Sequence, residues 1–321
     1  MDLWELADLC TPWCILVAAT LRLADHIDSG HTHIDQLAVA AHADASALHR
    51  VLRHLVAKGI FEEPQPGHFA LNDLARGLRD NRIGFDLEGI GGRMAHSWST
   101  LLTAVRTGRP AYQEVFGRPW WDDLTAHPPL ADEFDALMSY AGHGVPDPDV
   151  LPDLTAWPSI KTVVDVGGGT GALLAEVLKA HPHLHGTLVD LPRTIARSHE
   201  VFTAAGVTDR VAAAAQSFFD PLPAGADLYF LKSILSDWPD AEATAILRRC
   251  AEAATPTSRI VLVNGVTPNE APDPDLLMLV LVGGKGRTLG EFRLLAAEAG
   301  LQVQAAARRP SGRFLVECGL I

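Results

Sequence analysis

The nine residues from Val163 to Gly171, V-V-D-V-G-G-G-T-G, constrain the fold more than any other stretch of this chain. Apolar side chains surround Asp165 in a short continuous run, which is typical of a parallel strand covered on both faces. The residues that follow, Ala172 to Ala180, have apolar positions at helical spacing. The glycines therefore lie at a strand-to-helix turn, where a backbone without Cβ atoms turns tightly and lets a ligand approach.

The glycine spacing indicates which ligand this turn can hold. Gly167, Gly169 and Gly171 give G-x-G-x-G, whereas a dinucleotide-binding turn has its third glycine one position later and seats a pyrophosphate on the helix N-terminus. Position 172 is alanine, so a cofactor without phosphates fits better. The next predicted strand, 187–189, ends in Asp190, whose carboxylate can accept hydrogen bonds from both hydroxyls of a ribose. Together the two features predict a nucleotide-cofactor site.

Length, composition and charge exclude several classes of function. A chain of 321 residues that is 48% hydrophobic is long enough for a large core and for two domains. The net charge of −13 repels polyphosphate backbones, which argues against nucleic acid as a partner. Acidic residues near the N-terminus, and no apolar run of about 18–20 residues, predict a cytoplasmic protein with no membrane span.

The cysteines and histidines give no sequence signal of a metal site. The four cysteines form no C-x-x-C pair and no Cys/His cluster with zinc spacing: Cys10, Cys14, Cys250 and Cys318. Cys10 and Cys14 are one helical turn apart, and we expect them to be buried thiols. The alternating histidines at 181, 183 and 185 lack a carboxylate that would complete a site. The sequence therefore predicts no metal.

The N-terminal residues, 1–90, have the pattern of a winged helix. Helical spacing over 3–27, 34–41 and 45–58 is followed by a hairpin-like segment, 60–71, with its turn at 64–67. Many winged helices bind DNA, yet this segment holds seven Lys/Arg against thirteen Asp/Glu, a balance of −6. We therefore expect a dimerisation surface instead of a DNA-binding one.

The remaining chain predicts a helical connector followed by an α/β domain. Residues 91–150 are rich in aromatic side chains and are expected to line a ligand pocket, with a proline-bearing linker at 144–158. Seven strands then alternate with helices: 162–166, 187–189, 211–215, 227–231, 259–263, 303–307 and 313–317. This alternation predicts a doubly wound, Rossmann-like seven-stranded sheet over 151–321, with its ligand outside the carboxyl ends of the central strands.

Several motifs, in order along the chain, point to one family. V-D-L-P (189–192), F-F-D-P-L-P (218–223), D-W-P-D (237–240) and G-G-K-G-R-T (283–288) follow the glycine turn. With the winged-helix pattern, they resemble the S-adenosylmethionine (SAM) dependent small-molecule O-methyltransferases, especially the bacterial branch that acts on aromatic polyketides such as anthracyclines. The resemblance covers nearly the whole chain and implies a homodimer that methylates a hydroxyl of an aromatic secondary metabolite.

The resemblance also implies which residues bind the cofactor. The turn from Gly167 to Gly171 would lie against the methionine part of SAM, and Asp190 would hold the ribose. Leu191 and Phe218 would flank the adenine. The cofactor-binding set that we expect is Asp165, Gly167, Gly169, Gly171, Asp190, Leu191, Ser217, Phe218 and Lys232, with Ser217 standing where the family commonly has an aspartate.

The chain departs from the family at the catalytic positions. The family's histidine base directly precedes the Asp-Trp of D-W-P-D, and here that position is Ser236. Asn264 stands where a carboxylate commonly orients that histidine, and Gly286 replaces a frequent glutamate. Two alternatives remain open. Methyl transfer can proceed through proximity and orientation alone, or SAM can stay bound as a fixed positive charge while the pocket performs hydroxylation, decarboxylation or cyclisation.

Other side chains are candidates for the substrate pocket. In relatives, the helix before His143 passes near the sulfonium, which makes that histidine a candidate base. Met138 is at a position where a methionine often packs against an aromatic substrate, and Trp98 is a further pocket candidate. Ser236 can hydrogen-bond the substrate oxygen, and Asn264 can orient a carbonyl or a water.

Overall fold

A computed structural model describes residues 2–140, 160–268 and 275–321. The chain divides into two compact units: Met1–His96 with Pro128–Leu137, and Ser97–His127 with Met138–Ile321. Among the described residues, every helix is too short or too polar to cross a membrane. His143 and the predicted linker at 144–158 lie outside the described residues.

The first unit has the predicted helix–turn–helix and hairpin. Its elements are α1 (Leu3–Leu6), α2 (Cys10–Thr20), α3 (Leu23–Asp28), α4 (Ile34–Ala40), α5 (Ala45–Ala57), β1 (Phe61–Gln65), β2 (His68–Leu71), α6 (Asp73–Asp80), α7 (Ile90–Ser97) and the start of α11 (Pro128–Tyr140). The helical pattern predicted over 3–27 is divided among α1, α2 and α3, and Arg22, which is left-handed with φ 52°, separates α2 from α3. Asp44 caps α5 by accepting a bond from the Ala47 amide at 2.8 Å.

The hairpin turn is tighter than the predicted 64–67. β1 and β2 are antiparallel, and Gln65 pairs with His68, so Pro66 and Gly67 alone form the turn. Gly67 has φ 75°, which favours glycine at this position. Phe61 and Phe69, one from each strand, are buried in the core of this unit beneath α5.

The second unit begins with a helical aromatic segment, as predicted. A 3-10 turn (Trp98–Thr100) leads into α8 (Leu101–Thr107), α9 (Tyr112–Phe116) and α10 (Trp120–Ala126). The buried Tyr112 hydroxyl donates to the buried Asp123 carboxylate at 2.6 Å, which joins α9 to α10. The Tyr112 and Trp120 rings also meet edge to face, with centroids 5.3 Å apart.

The seven predicted strands form one sheet. They are β3 (Thr162–Val166), β4 (His185–Asp190), β5 (Val211–Ala215), β6 (Leu228–Lys232), β7 (Arg259–Val263), β10 (Leu301–Arg308) and β11 (Phe314–Leu320), in the spatial order β10-β11-β7-β6-β3-β4-β5. β3 to β7 are parallel, and β11 runs antiparallel to its neighbours β7 and β10. The predicted doubly wound α/β fold is confirmed.

Helices cover both faces of this sheet. They are α12 (Ala172–Ala180), α13 (Pro192–Ala205), α14 (Asp240–Ala253) and α16 (Leu289–Glu298), while α15 (Leu276–Leu281) packs against α8. α12 and α13 pack with one buried cluster, and α14 and α16 with the other. A further pair of two-residue parallel strands, β8 (Val266–Thr267) and β9 (Arg287–Thr288), follows β7. The strand order changes direction between β3 and β6, so the carboxyl ends of these two strands border the crevice where such folds bind ligands.

Candidate functional site

The glycine turn after β3 contains three left-handed residues. Gly167, Gly169 and Gly171 have φ of 71°, 63° and 83°. A Cβ at Gly167 would lie 2.6 Å from Ile234 Cδ1, and one at Gly171 would lie 2.5 Å from Phe202 Cζ. At Gly169 a Cβ would meet no atom of the described residues within 4 Å. Packing therefore favours glycine at positions 167 and 171, whereas Gly169 leaves backbone open to a ligand.

Asp190 lies beside this turn, at the end of β4. Its Oδ2 accepts a bond from the Gly169 amide at 2.9 Å, and its Oδ1 accepts one from the Leu191 amide at 2.7 Å. A carboxylate has lone pairs for about four bonds, so a group of this kind can bind backbone amides and ribose hydroxyls together. The structure thus brings the predicted ribose-binding carboxylate to the open glycine. Leu191 is 37% exposed and precedes α13.

Asp165 is buried beneath the same turn. Its Oδ2 has no hydrogen-bond partner among the described residues, and a Cβ at Gly168 would lie 2.3 Å from that atom. Burial, with the nearby Asp190 charge, raises the pKa of Asp165 to about 7, although Lys232 opposes this shift. A buried carboxyl group of this kind gains most from a cation. SAM has no phosphates and carries ammonium and sulfonium charges, so these residues fit it.

The predicted adenine-side residues lie near the turn, with different roles in the fold. The Phe218 ring would be 3.3 Å from a Cβ at Gly167, which places it against the turn. Ser217 accepts a hydrogen bond from the Phe219 amide at 3.2 Å, so its hydroxyl stabilises its own loop. Lys232 is half-buried at the end of β6, close enough to Asp165 to affect its pKa.

Two strained residues follow the next strands. Ser233, after β6, and Asn264, after β7, have φ of 57° and 66°, which costs non-glycine residues about 1–3 kcal/mol each. The side-chain amide of Asn264 donates to Ser233 Oγ at 2.9 Å, and the main-chain amide of Ser233 donates to the Val263 carbonyl at 2.8 Å. Asn264 was predicted as a site residue. Ser233 was missed, because a left-handed serine has no sequence signal.

Ser236 lies next to this pair, in a short 3-10 turn. A Cβ at Gly265 would lie 3.4 Å from Ser236 Cβ, so the segment after β7 packs directly on it. The Ser236 hydroxyl donates to the Asp237 carboxylate at 3.4 Å. Burial and the neighbouring Asp275 raise the pKa of Asp237 to about 7. The sequence prediction missed Asp237 as a titratable group, since only the fold makes it buried.

A buried arginine holds the backbone of this turn. Arg287 is fully buried and donates to the Asp240 carboxylate at 2.9 Å, the Leu235 carbonyl at 2.7 Å and the Trp238 carbonyl at 2.8 Å. A Cβ at Gly284 would lie 2.1 Å from the Ser236 carbonyl oxygen, so only glycine fits there. The motifs D-W-P-D and G-G-K-G-R-T are therefore two halves of one hydrogen-bonded structure.

Aromatic side chains border the same region. The Trp238 ring meets Phe218 and Phe219 edge to face, with centroids 5.8 and 4.8 Å away. It also stacks on Trp121, with centroids 6.0 Å apart and planes 19° from parallel. We call these four rings, of Trp238, Trp121, Phe218 and Phe219, the Trp238 cluster. Its flat faces suit a planar aromatic ligand.

Two further residues predicted to line the substrate pocket, Trp98 and Met138, lie outside this cluster. Trp98 is 43% exposed, and its 3-10 turn packs against α15, which begins directly after Asp275. Met138 is half-buried near the end of α11. The contacts described for residues 2–140, 160–268 and 275–321 include no hydrogen bond from either side chain to Ser236. Their place in the substrate pocket stays a prediction.

Comparison with protein-family models assigns both parts of the chain. An O-methyltransferase domain model matches residues 98–302, and an O-methyltransferase dimerisation domain model matches residues 4–80.

Individual relatives extend over nearly the full chain. The 2,7-dihydroxy-5-methyl-1-naphthoate 7-O-methyltransferase of Streptomyces carzinostaticus is 43% identical, over 95% of this chain and 94% of that protein. The aclacinomycin 10-hydroxylase RdmB of Streptomyces purpurascens is 38% identical, over 96% and 85%. The crystal structure of NcsB1, an O-methyltransferase from neocarzinostatin biosynthesis in complex with SAM and 2-hydroxy-5-methyl naphthoic acid, matches with a TM-score of 0.91 and 41% identity, covering 100% of this chain and 99% of that one.

Proposed function

This chain belongs to the O-methyltransferase family, and on that premise we propose that it methylates a hydroxyl of a polyketide-like fused aromatic ring with Ser236 in place of a histidine base at that position. It is a SAM-dependent enzyme whose methyl acceptor is an aromatic hydroxyl. The observation that carries the substrate class is the 43% identity, over 95% of the chain, to an enzyme that methylates a dihydroxynaphthoate. The Trp238 cluster, with its stacked Trp121, supports a planar substrate.

We assign the cofactor-binding roles by how the position and chemistry of each residue fit SAM. When bound, SAM supplies a methyl group already activated on a sulfonium. Asp190 accepts the ribose hydroxyls while its bonds to the Gly169 and Leu191 amides fix its orientation. Asp165 provides the negative charge beneath the turn, and Gly169 admits the ligand to the backbone. Leu191 and Phe218 flank the adenine, with Gly167, Gly171, Ser217 and Lys232 completing the set.

The reaction then depends on orientation. Ser236 donates a hydrogen bond to the substrate oxygen or accepts one from it, and Asn264, fixed by its bond to Ser233, orients the ring substituents. Placing an acidic phenol in line with the methyl group lowers the barrier by several kcal/mol through proximity, up to about 7–11 kcal/mol in favourable intramolecular systems. The phenolic proton leaves to solvent or to a nearby acceptor. His143 stays a candidate for that acceptor.

The N-terminal unit is assigned to dimerisation. We assign residues 1–90 to a winged-helix dimerisation domain, 91–150 to a connector that carries Trp98 and Met138 to the pocket, and 151–321 to the SAM domain. A homodimer in the cytoplasm is the proposed state. Support comes from the dimerisation model and from the strongly exposed apolar side chains Leu3, Trp4, Leu6, Leu9, Val39 and Leu74.

The first experiment is calorimetry with SAM and, separately, with S-adenosylhomocysteine, followed by incubation of the protein with methyl-labelled SAM and hydroxynaphthoic acids. We expect one site per chain for both ligands, and label in a product heavier by one methylene. Binding without any label transfer to hydroxylated naphthoates, anthraquinones or anthracyclines would contradict the proposal.

A second function is favoured by one relative, the 38% identical aclacinomycin 10-hydroxylase. In that alternative, SAM stays bound as a fixed charge and the product gains no methyl group. Turnover would then continue with S-adenosylhomocysteine or sinefungin in place of SAM. Methyl transfer predicts no turnover with either.

A further inference from the structure

Two cysteine sulfurs face each other on α2, in the dimerisation region and away from the methyl-transfer site. Cys10 and Cys14 are four residues apart, which places both side chains on one face of the helix. Their Sγ atoms are 3.7 Å apart. Cys14 is 9% exposed, whereas Cys10 is exposed to solvent. The two thiols therefore form a pair that is exposed to solvent at the Cys10 side.

A histidine from another helix completes the group. A ring nitrogen of His54, on α5, lies within 4.8 Å of both sulfurs, and α2 packs against α5. His54 is forty positions beyond Cys14, so the spacing along the sequence gives no signal of a Cys/His cluster. Only the packing of the two helices brings it to the thiol pair.

The surroundings of His54 resemble the outer shell of a metal site. Thr11 Oγ1 is 2.7 Å from His54 Nε2 and donates its own proton to Asp8 Oδ2 at 2.6 Å. Because the Thr11 proton is committed to Asp8, the Thr11 oxygen accepts Nε2–H and leaves the Nδ1 lone pair available. Hydrogen bonds of this kind fix the tautomer of metal-binding histidines.

The distances match a tetrahedral metal bound to thiolates. With metal–sulfur bonds of about 2.3 Å, tetrahedral geometry requires about 3.8 Å between the sulfurs, close to the observed 3.7 Å. A metal–nitrogen bond of about 2.0 Å requires about 3.6 Å between nitrogen and sulfur. The imidazole would thus move by at most about 1.2 Å. Two thiolates and an imidazole favour zinc-class ions over calcium or magnesium, which prefer oxygen ligands.

We propose that Cys10, Cys14 and His54 bind a zinc-class divalent cation, with the fourth position open at the Cys10 side. Binding replaces the two thiol protons, which leave to solvent, by two metal–sulfur bonds. The metal would join α2 to α5, which both contribute to the core of the first unit. Its effect is therefore on the stability of the dimerisation unit and does not depend on the methyl-transfer proposal.

The test is a cobalt titration of the full-length, reduced protein under anaerobic conditions. We expect one Co²⁺ per chain, with the intense d–d bands of tetrahedral coordination and a thiolate charge-transfer band, both removed by Zn²⁺. Zn²⁺ affinity, measured against a chromophoric chelator, should fall at least tenfold in Cys10→Ser and in His54→Gln. The matched controls Cys250→Ala and His31→Gln should bind as the unaltered protein does.

Thermal unfolding provides a second test, which applies even if one of the variants folds poorly. The thermal midpoint of the unaltered protein should rise with Zn²⁺, and that rise should be lost in Cys10→Ser, whose substituted side chain is exposed. Failure of the reduced protein to develop a thiolate–cobalt band would overturn the proposal. Equal Zn²⁺ affinity in Cys10→Ser, His54→Gln and the unaltered protein would overturn it too.

Discussion

At the scale of single residues, the buried carboxyl of Asp165 makes the stability of the protein depend on pH. Its folded pKa of about 7 lies above the ordinary value of 3.8. The folded protein therefore holds this proton more strongly than the unfolded chain, and stability falls as the pH rises from about 4 to about 7. The fall is at most about 4 kcal/mol.

Asp165→Asn should remove this contribution. In urea unfolding at pH 5 and pH 8, the variant should lose less stability between the two values than the unaltered protein. Asp73→Asn, an exposed control, should lose as much as the unaltered protein. An identical loss in Asp165→Asn would mean that the carboxyl is already ionised when folded.

The same group predicts a pH dependence of cofactor binding. A cation stabilises the ionised form of Asp165, so SAM affinity measured by calorimetry should increase from pH 6 to pH 8. The increase should be absent in Asp165→Asn. A pH profile that is the same in both proteins would remove Asp165 from the cofactor site.

Ser236 should be of minor importance to the chemical step. A neutral serine hydroxyl is not a base, so Ser236→Ala should lower kcat less than tenfold, or less than about 1.4 kcal/mol of barrier. Single-turnover kinetics with labelled SAM would measure this, with Ser99→Ala as a serine control. A thousandfold loss would show that orientation without a base is the wrong mechanism.

Some features of the site could be predicted from the sequence, and others could not. The proximity of Gly169 to Asp190 could be predicted, because the two parallel strands β3 and β4 end at the same edge of the sheet. Ser233 and Asp237 could not be predicted, because a left-handed conformation and a buried carboxyl arise from packing between strands that are distant in sequence.

At the scale of elements, the long strands and helices followed directly from hydrophobic periodicity. The pairing of β8 with β9 did not, because two-residue strands have no period to detect. The break between α2 and α3 was also missed, since nothing in the local sequence marks Arg22 as a left-handed residue.

The turn from Leu235 to Asp240 depends on Arg287. The Arg287 bonds to Asp240, Leu235 and Trp238 leave from three separate nitrogens of a planar guanidinium. All the donors of a lysine leave from one ammonium nitrogen, so Arg287→Lys should destabilise the fold by about 3 kcal/mol. Urea unfolding measures this, and Arg293→Lys on the exposed face of α16 serves as the control. A loss below about 0.5 kcal/mol, typical of surface substitutions, would mean that the turn is held by other contacts.

At the scale of the whole molecule, the acidic chain combines a net charge of −13 with exposed apolar side chains on its N-terminal unit. Trp4, which is 85% exposed, lies within the dimerisation match. Trp4→Glu should weaken the dimer at least tenfold in sedimentation equilibrium, because it adds a desolvated charge to an interface. Leu294→Glu, at a 74% exposed position on α16, should leave the dimer unchanged. Equal dimer affinity in all three proteins would place the interface elsewhere.

The bonds that Arg287 makes to the Leu235 and Trp238 carbonyls have an evolutionary consequence. Both acceptors are main-chain atoms, which every amino acid possesses. The identity of the side chain at position 236 can therefore change across generations while the scaffold around it persists. Such an arrangement lets the side chain at position 236 be exchanged while the fold around it stays intact.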